Sequence, residues 1–339
     1  MKPPSSGPTS NGNPSRDDLP RASEHWAPNF FGDLYERIYS RHILTADRTR
    51  EETEFALGEL GGCPGMLLDL AAGYGRHARL VARKRAVTAL DINLAYLHNA
   101  RAGLSAGAKA RLHATAADMR LLPFAPSSFG GVMMLFNSFG YFPPEATSPA
   151  ASSHEQPTAP TREVWRLPTV FYERGLAPEG FNVYQSENDA TPEKPLVPDE
   201  PTDRALNEGE APDPNLAVLR EVARVLRPEG KFLIEAPNPA PLLAAVRRNP
   251  RRHLVMERSI IEDDFFFDEG TKVLGNRTRF VDGKDMHHCG YSLRLYTRGE
   301  LTAALRSCGF VIEQTKGDYT GSAYESRTSP MMLITARRR

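Results

Sequence analysis

The sequence has little cysteine, no excess of either charge and no long apolar run. Its three cysteines, Cys63, Cys289 and Cys308, stand far from the spacing of a metal-binding pair, which predicts reduced thiols in a cytosolic protein and no metal site. The 42 basic and 42 acidic residues cancel, so no global field attracts nucleic acid or an anionic membrane. No stretch reaches the roughly 20 apolar residues of a membrane span. The first residues lack the apolar core of a secretory signal, and we therefore expect a cytoplasmic protein.

Two segments are too rich in proline and polar residues to predict a packed structure. Residues 1–27 begin MKPPSSGPTSNGNPSRDDLP, and residues 144–214 combine many prolines with more acids than bases. Such compositions cannot bury enough apolar surface to offset the entropy lost on ordering. We expect a disordered tail over 1–27 and a Pro-rich, acidic, largely disordered insertion over 144–214. The folded domain then consists of 28–143 and 215–339.

The remaining residues alternate between short apolar runs and helix-compatible stretches. Runs such as 66–70, 86–90 and 129–136 are separated or followed by stretches with helical spacing. This alternation predicts an α/β fold with a doubly wound, mostly parallel seven-stranded sheet. Between 254 and 296 the period changes to two, and the turn sequence DGK at 282–284 predicts a hairpin. This stretch is interpreted as an inserted antiparallel sheet that roofs the cleft over the substrate.

The first predicted strand runs into a glycine-rich turn, LDLAAGYGRHA, at 68–78. Gly73 and Gly75 allow the backbone to approach a ligand closely just before a helix N-terminus. The signal is weak alone, because GYGRHA also fits the G-x-G-x-x-A pattern of NAD-binding proteins. A tight turn that binds no ligand is a further alternative.

The polar positions that follow separate these alternatives. Asp91 closes the second strand, where a carboxylate can accept hydrogen bonds from ribose hydroxyls, and Asp118 and Met119 follow the third, where they suit an adenine edge and ring face. The fourth strand ends in FNSFGYF at 136–142. Ligands of open α/β sheets bind at these carboxyl ends. Either aspartate could instead cap a helix, but their order along the chain favours a nucleoside-containing cofactor.

In these motifs, and in LREVARVLRPEGKFLIEAPNP at 219–239, the chain resembles the class I, Rossmann-like S-adenosylmethionine-dependent methyltransferases. The resemblance covers about 29–143 and 215–339 and is strongest to bacterial small-molecule enzymes, including aminosugar N-methyltransferases. It implies S-adenosyl-L-methionine as cofactor, with the methionine part held at the first glycine turn and the ribose at the end of the second strand. The cofactor-binding residues that it implies are Asp69, Ala71, Gly73, Gly75, Asp91, Ile92, Asp118, Met119, Phe136 and Asn137.

The predicted function is transfer of a methyl group to a nitrogen or oxygen of a small-molecule acceptor. Two alternatives stay open, an NAD-dependent oxidoreductase and a catalytically silent regulatory protein that binds the cofactor. Methylation of nucleic-acid bases is disfavoured, because residues 137–140 read NSFG and lack the N-P-P-Y pattern used on exocyclic base amines. The candidate catalytic side chains are Tyr141, His287 and His288. Because neighbouring strand residues face opposite sides, at most one of the two histidines should point into the cleft.

Overall fold

The computed structural model describes residues 30–142 and 213–339. The predicted tail 1–27 lies outside these residues, and so does the predicted insertion 144–214 apart from Asp213 and Pro214. The helices are α1 Asp33–His42, α2 Ala46–Leu60, α3 Arg76–Val81, α4 Leu94–Ala100, α5 Ala106–Arg111, α6 Asn215–Val225, α7 Pro239–Arg248 and α8 Arg298–Ser307. Within the described ranges, no helix is both long enough and apolar enough to cross a membrane.

Seven strands form the central sheet, which we call sheet A. They are β1 Leu67–Leu70, β2 Val87–Asp91, β3 Leu112–Ala116, β4 Phe129–Met134, β5 Leu226–Pro237, β10 Phe310–Lys316 and β11 Met331–Arg338. Their spatial order is β10-β11-β5-β4-β1-β2-β3. β1 pairs in parallel with both β2 and β4, and β11 is antiparallel to β5 and β10. This arrangement confirms the predicted doubly wound sheet.

Sheet A is buried on both faces because each of its two faces is covered by helices. Successive residues of β1 belong to different layers: Leu68 packs in the cluster that contains α6 and α8, and Leu67 packs in the cluster that contains α2 to α5. All four residues of β1 and all six of β4 are buried. Strands covered on both faces are nearly continuous apolar runs, which is why they stand out in the sequence.

The other four strands form an antiparallel sheet, which we call sheet B. They are β6 Arg251–Met256, β7 Ser259–Asp268, β8 Val273–Asp282 and β9 Asp285–Arg294, in consecutive order. The predicted hairpin is confirmed between β8 and β9, where Gly283 takes a left-handed φ of 66°. One face of sheet B contributes to the two apolar clusters that also contain α1 and α7. Sheet B therefore packs against α1, and Tyr35 of α1 lines the cavity at the carboxyl end of sheet A.

Local signals fixed several element boundaries and missed others. The pair Thr297 and Glu300 predicts a capping box at the start of α8, and reciprocal hydrogen bonds between the two residues confirm it. The helical spacing over 94–104 predicts one helix, which is wrong at its end: α4 stops at Ala100, and α5 begins after Ser105, whose hydroxyl accepts the amide of Ala108 at 3.3 Å. The sequence RPEG at 227–230 predicts the end of the preceding helix, and α6 does end at Val225. Residues 227–230 then form an irregular part of β5, in which Glu229 has a φ of 64°.

The chain leaves the described fold at Phe142 and returns to it at Asp213, and these two ends are adjacent. The side chain of Asn215 accepts the amide of Phe142 at 3.2 Å and donates to its carbonyl at 2.8 Å. Asp213 accepts the Tyr296 hydroxyl at 2.5 Å. The side chain of Asn215 therefore joins β4 and α6 where the predicted insertion begins and ends.

Candidate cofactor and acceptor site

A cavity of about 460 Å³ opens at the carboxyl ends of β1, β2 and β4, where the strand order of sheet A reverses. Eight of the ten cofactor-binding residues predicted from the sequence line it: Asp69, Ala71, Gly73, Asp91, Ile92, Asp118, Met119 and Phe136. Gly75 and Asn137 lie outside the described lining. The structure thus gathers residues from four separate loops around one space, at the position where open α/β sheets bind ligands.

Two carboxylates, Asp69 and Asp91, hold the turn after β1 by accepting backbone amides. Asp69, which is buried at the end of the strand, accepts the amide of Ala78 in the first turn of α3 at 3.1 Å. Burial raises the pKa of Asp69 to about 7. Ala71 and Gly73 both have left-handed backbones, with φ of 58° and 57°. A left-handed alanine is strained, so the turn keeps this shape because its surroundings enforce it.

The two glycines of this turn have different roles. At Gly73 an added Cβ would meet no atom within 4 Å, so its backbone faces open space. At Gly75, with a φ of 77°, an added Cβ would lie 2.8 Å from the Cβ of Ala100. Gly75 therefore lets α3 pack closely against α4, whereas Gly73 leaves room beside the cavity.

Asp91 connects the turn after β1 to the loop after β2. One of its carboxylate oxygens accepts the amide of Gly73 at 2.8 Å, and the other accepts the amide of Asn93 at 2.8 Å. Burial raises the pKa of Asp91 above its ordinary value. Each oxygen has two lone pairs, so the carboxylate can accept further hydrogen bonds from a ligand. Ile92 beside it lines the cavity and is 45% exposed.

Asp118 and Met119 form the edge of the cavity after β3. The Asp118 carboxylate accepts hydrogen bonds from Arg120, the shortest at 2.6 Å. Burial raises the pKa of Asp118, but the hydrogen bonds and charge of Arg120 outweigh it and leave that pKa below its ordinary value. The Arg120 guanidinium also lies 4.3 Å from the ring centre of Phe142. Asp118 is consequently an ionised acceptor whose position is fixed by its neighbour.

A buried carboxylate on α2 was not predicted from the sequence. Glu52 accepts hydrogen bonds from Arg48 at 2.7 Å, from His77 at 2.8 Å and from Arg76. Although burial raises the pKa of Glu52, the hydrogen bond from His77 and the charge of Arg76 lower it well below its ordinary value. Burial, with the charge of Arg76, lowers the pKa of His77 to about 4. Arg76 and His77 line the cavity and Glu52 does not, so Glu52 fixes two lining residues from outside the described lining.

Among the described residues that line the cavity, two have a buried polar atom without a hydrogen-bond partner. These atoms are Nη2 of Arg76 and the hydroxyl of Tyr74. Both residues line the cavity. Buried polar atoms without partners are rare, and a group of them in a cavity wall indicates that a ligand completes their hydrogen bonds.

Aromatic side chains from α1 and the β4 loop form the other wall, which we call the aromatic wall. Phe31, Tyr35 and Tyr141 line the cavity there. The ring of Phe31 lies 5.0 Å from Tyr35 and 5.9 Å from Tyr141, edge to face in both cases. Tyr39 stacks on Tyr35 at 4.0 Å. The predicted catalytic candidate Tyr141 therefore faces the cavity, and burial raises its pKa so that its hydroxyl stays neutral at physiological pH.

The structure does not bring the predicted catalytic histidines to the described lining of the cavity. His287 pairs with Phe280 and His288 with Arg279, so the two side chains face opposite sides of sheet B. His287 is half-buried on the face that packs against α1, and His288 is exposed. Both histidines lie near the β8–β9 hairpin. Tyr291, four residues after His287 on β9, is a residue of this strand that contacts Tyr141, with 5.6 Å between the ring centres.

Comparisons with known proteins agree with this arrangement. Residues 67–156 match the family model of a methyltransferase domain. The structure is similar to the CcbJ methyltransferase from Streptomyces caelestis, with a TM-score of 0.57 and 14% identity over 86% of this chain and 95% of that chain. It is also similar to an S-adenosylmethionine-dependent methyltransferase from Clostridium acetobutylicum, with a TM-score of 0.59 and 14% identity over 90% and 97% of the two chains. No curated protein matches the sequence.

A third similar structure, DesVI from Streptomyces venezuelae, has a TM-score of 0.50 and 15% identity over 91% of this chain and 98% of that chain. These likenesses concern the fold, and the match over 67–156 covers β1 to β4 and the loops after them, whereas Phe31 and Tyr35 of the aromatic wall lie before it. The resemblance stated from the sequence motifs is confirmed. The chain carries a methyltransferase domain on the fold of the class I, Rossmann-like methyltransferases.

Proposed function

We propose that this protein is an S-adenosylmethionine-dependent enzyme that methylates a nitrogen or oxygen of a small molecule. The observation that carries the proposal is a single cavity with two different walls. One wall consists of the loops after β1, β2 and β3, with three carboxylates and a left-handed glycine turn. The other is the aromatic wall, and the two meet at Phe136. A cavity of this kind can hold a cofactor and an acceptor side by side.

The residues present fit the cofactor on their own chemistry. Arg76 Nη2 and the Tyr74 hydroxyl are buried donors without a described partner, which suits the carboxylate of a methionine group. Asp91 retains lone pairs for two ribose hydroxyls, and Gly73 leaves the space that a side chain would fill. Asp118 and Met119 supply an acceptor and an apolar face for adenine.

S-adenosylmethionine supplies a methyl group activated by a positively charged sulfur. The work of the protein is then to orient the acceptor, because an in-line displacement depends mainly on geometry. Tyr141 has a raised pKa, so its hydroxyl is neutral and serves to position the acceptor by hydrogen bonding; it is a poor base near pH 7. The aromatic wall excludes water and holds an apolar or ring-shaped part of the acceptor.

Calorimetry with S-adenosylhomocysteine and with NAD tests the cofactor, since the glycine turn also fits the NAD pattern. The proposal expects binding of S-adenosylhomocysteine and no heat with NAD; the reverse result would favour an oxidoreductase. A screen of amines and phenols with labelled S-adenosylmethionine then tests turnover. Binding without transfer to any acceptor would favour a silent regulatory protein.

The roles of the three catalytic candidates can be separated with single variants. Tyr141→Phe should slow methyl transfer while leaving the affinity for S-adenosylhomocysteine unchanged, because only the hydroxyl is removed. His287→Ala and His288→Ala are the comparisons. A rate that falls in a histidine variant and not in Tyr141→Phe would move proton handling to sheet B.

The domain division is part of the same proposal, with 28–143 and 215–339 forming the catalytic domain and most of 144–214 dispensable for cofactor binding. The hydrogen bonds between Asn215 and Phe142 support it, because they hold the two ends together without the intervening residues. A variant in which a short Gly/Ser linker replaces 144–212 should fold and bind S-adenosylhomocysteine normally. A folded variant with lost affinity would make the insertion part of the site.

A further inference from the structure

The backbone at Phe136 is strained and is held by a residue far away in sequence. Phe136 has a φ of 59°, a left-handed conformation that is costly for a residue with a bulky side chain. Its amide donates a hydrogen bond of 2.5 Å to the carboxylate of Glu235. Strained conformations persist only where the surroundings enforce them, and the hydrogen bond to Glu235 is a contact that holds the Phe136 backbone.

Glu235 is itself buried and paired. It lies near the end of β5, is 1% exposed and accepts the hydroxyl of Tyr319 at 2.5 Å on the same oxygen that accepts Phe136. Burial raises the pKa of Glu235, and the nearby charge of Glu52 adds to this effect. The Phe136 amide and the Tyr319 hydroxyl both donate to Oε2 of Glu235, so this oxygen acts as an acceptor for both. The ring of Tyr319 packs edge to face on Phe55 at 5.5 Å, which orients its hydroxyl.

The ring of Phe136 stands at the junction of the two walls of the cavity. The guanidinium of Arg76, whose Nη2 is without a described partner, lies 5.5 Å from its centre. On the other side its edge faces Tyr39 at 6.4 Å, next to the aromatic wall. A shift of the β4 loop would therefore move the cofactor side and the acceptor side together.

We propose that Glu235 and Tyr319 are a positioning pair that holds Phe136 in place between the cofactor and the acceptor. Neither residue belongs to the described lining of the cavity, so the pair acts through the Phe136 backbone. The inference rests on the proposed function for its consequence in binding. The mechanical part, that the pair fixes Phe136, can be tested without any ligand.

The experiment uses the full chain with four variants. Glu235→Leu removes the acceptor, and Glu235→Gln keeps an acceptor oxygen while removing the charge. Tyr319→Phe removes one donor and keeps the ring. Tyr324→Phe is the matched control, because its hydroxyl lies in the same C-terminal region but donates to Asn238, at 3.1 Å, rather than to Glu235. The readouts are NMR amide exchange at Phe136, referred to amides within β4, and calorimetric affinity for S-adenosylhomocysteine.

The expected pattern is selective. In Glu235→Leu, the Phe136 amide should lose its protection from exchange, and binding of S-adenosylhomocysteine should weaken by about tenfold. In Tyr319→Phe, binding should weaken by about three- to tenfold, because one of the two donors to a buried carboxylate is lost. Glu235→Gln should retain most of the protection at Phe136 and most of the affinity, and Tyr324→Phe should leave both unchanged. If Glu235→Leu and Tyr319→Phe keep wild-type exchange at Phe136, the positioning role is refuted. If the wild type binds no S-adenosylhomocysteine, the proposed function fails, and the exchange data alone still decide the role of the pair.

Discussion

Replacement of Asp91 by alanine gives the sharpest test of the cofactor site. In the proposed site two ribose hydroxyls would lose a charged acceptor, and hydrogen bonds to a charged acceptor are worth about 1.5–3 kcal/mol. Because about 1.4 kcal/mol corresponds to a factor of ten in affinity, we expect Asp91→Ala to weaken binding of S-adenosylhomocysteine at least tenfold. Isothermal calorimetry on the purified, folded variant measures the change directly.

The same substitution also affects stability, and the structure shows why. The amides of Gly73 and Asn93 both lose their acceptor at 2.8 Å. A fully buried donor left without a partner costs about 1–3 kcal/mol, and these two amides, which are partly buried, fall toward the lower end of that range. Burial disfavours the ionised carboxylate and raises its pKa, so its removal offsets part of this cost. We therefore expect a loss of about 1–3 kcal/mol in the free energy of unfolding without ligand.

The two effects are separated by measuring denaturant unfolding in the absence of ligand beside the calorimetry. Asp91→Asn serves as the second variant, because its single amide oxygen can accept only one of the two backbone amides and carries no charge. It should lose less stability than alanine yet still bind weakly. A folded Asp91→Ala protein with wild-type affinity for S-adenosylhomocysteine would refute the assignment of the ribose to Asp91.

Three further predictions concern the support of the site. Glu52→Gln should lower the free energy of unfolding by about 3 kcal/mol, because it leaves buried cations without their anion, whereas the exposed Glu54→Gln should have little effect in the same denaturation assay. Gly75→Ala should lower the melting temperature strongly, since its Cβ would lie 2.8 Å from that of Ala100 on a left-handed backbone; an unchanged melting temperature would contradict this packing. Because burial raises the pKa of Asp69 to about 7, the folded state binds more protons than the unfolded state between about pH 4 and 7, and stability falls as pH rises through that window. The stability of Asp69→Asn relative to the wild type should therefore rise by about 2.5 kcal/mol between pH 5 and pH 8, and a difference independent of pH would count against the raised pKa.

The parts of the fold that depend on local sequence were predictable. The run LLDL and the glycines after it identify β1 and its turn, and Thr297 with Glu300 identifies the start of α8. These signals depend on backbone conformation and burial over a few residues, which a single sequence displays directly. Asp91 was found for the same reason, because it follows immediately after a buried strand.

The contacts that support the site could not be predicted in this way. Glu235 and Phe136 are 99 residues apart, and nothing in either segment indicates the other. Glu52 gave a weak signal, because it lies with Thr49, Thr53 and Ala56 on the buried face of α2, where a charged side chain needs a partner. Long-range pairing depends on how elements pack, and periodicity along one element does not contain that information.

The bridge between Phe142 and Asn215 has a consequence for how this fold tolerates change. A segment whose two ends are already fixed side by side closes a loop, and the entropy of closing a loop grows only with the logarithm of its length. Segments of very different length can therefore be exchanged between these two points at nearly the same cost to the domain. The position next to the aromatic wall is consequently a place where an added sequence, or an entire grafted domain, could be brought beside the acceptor while sheet A remains as it is.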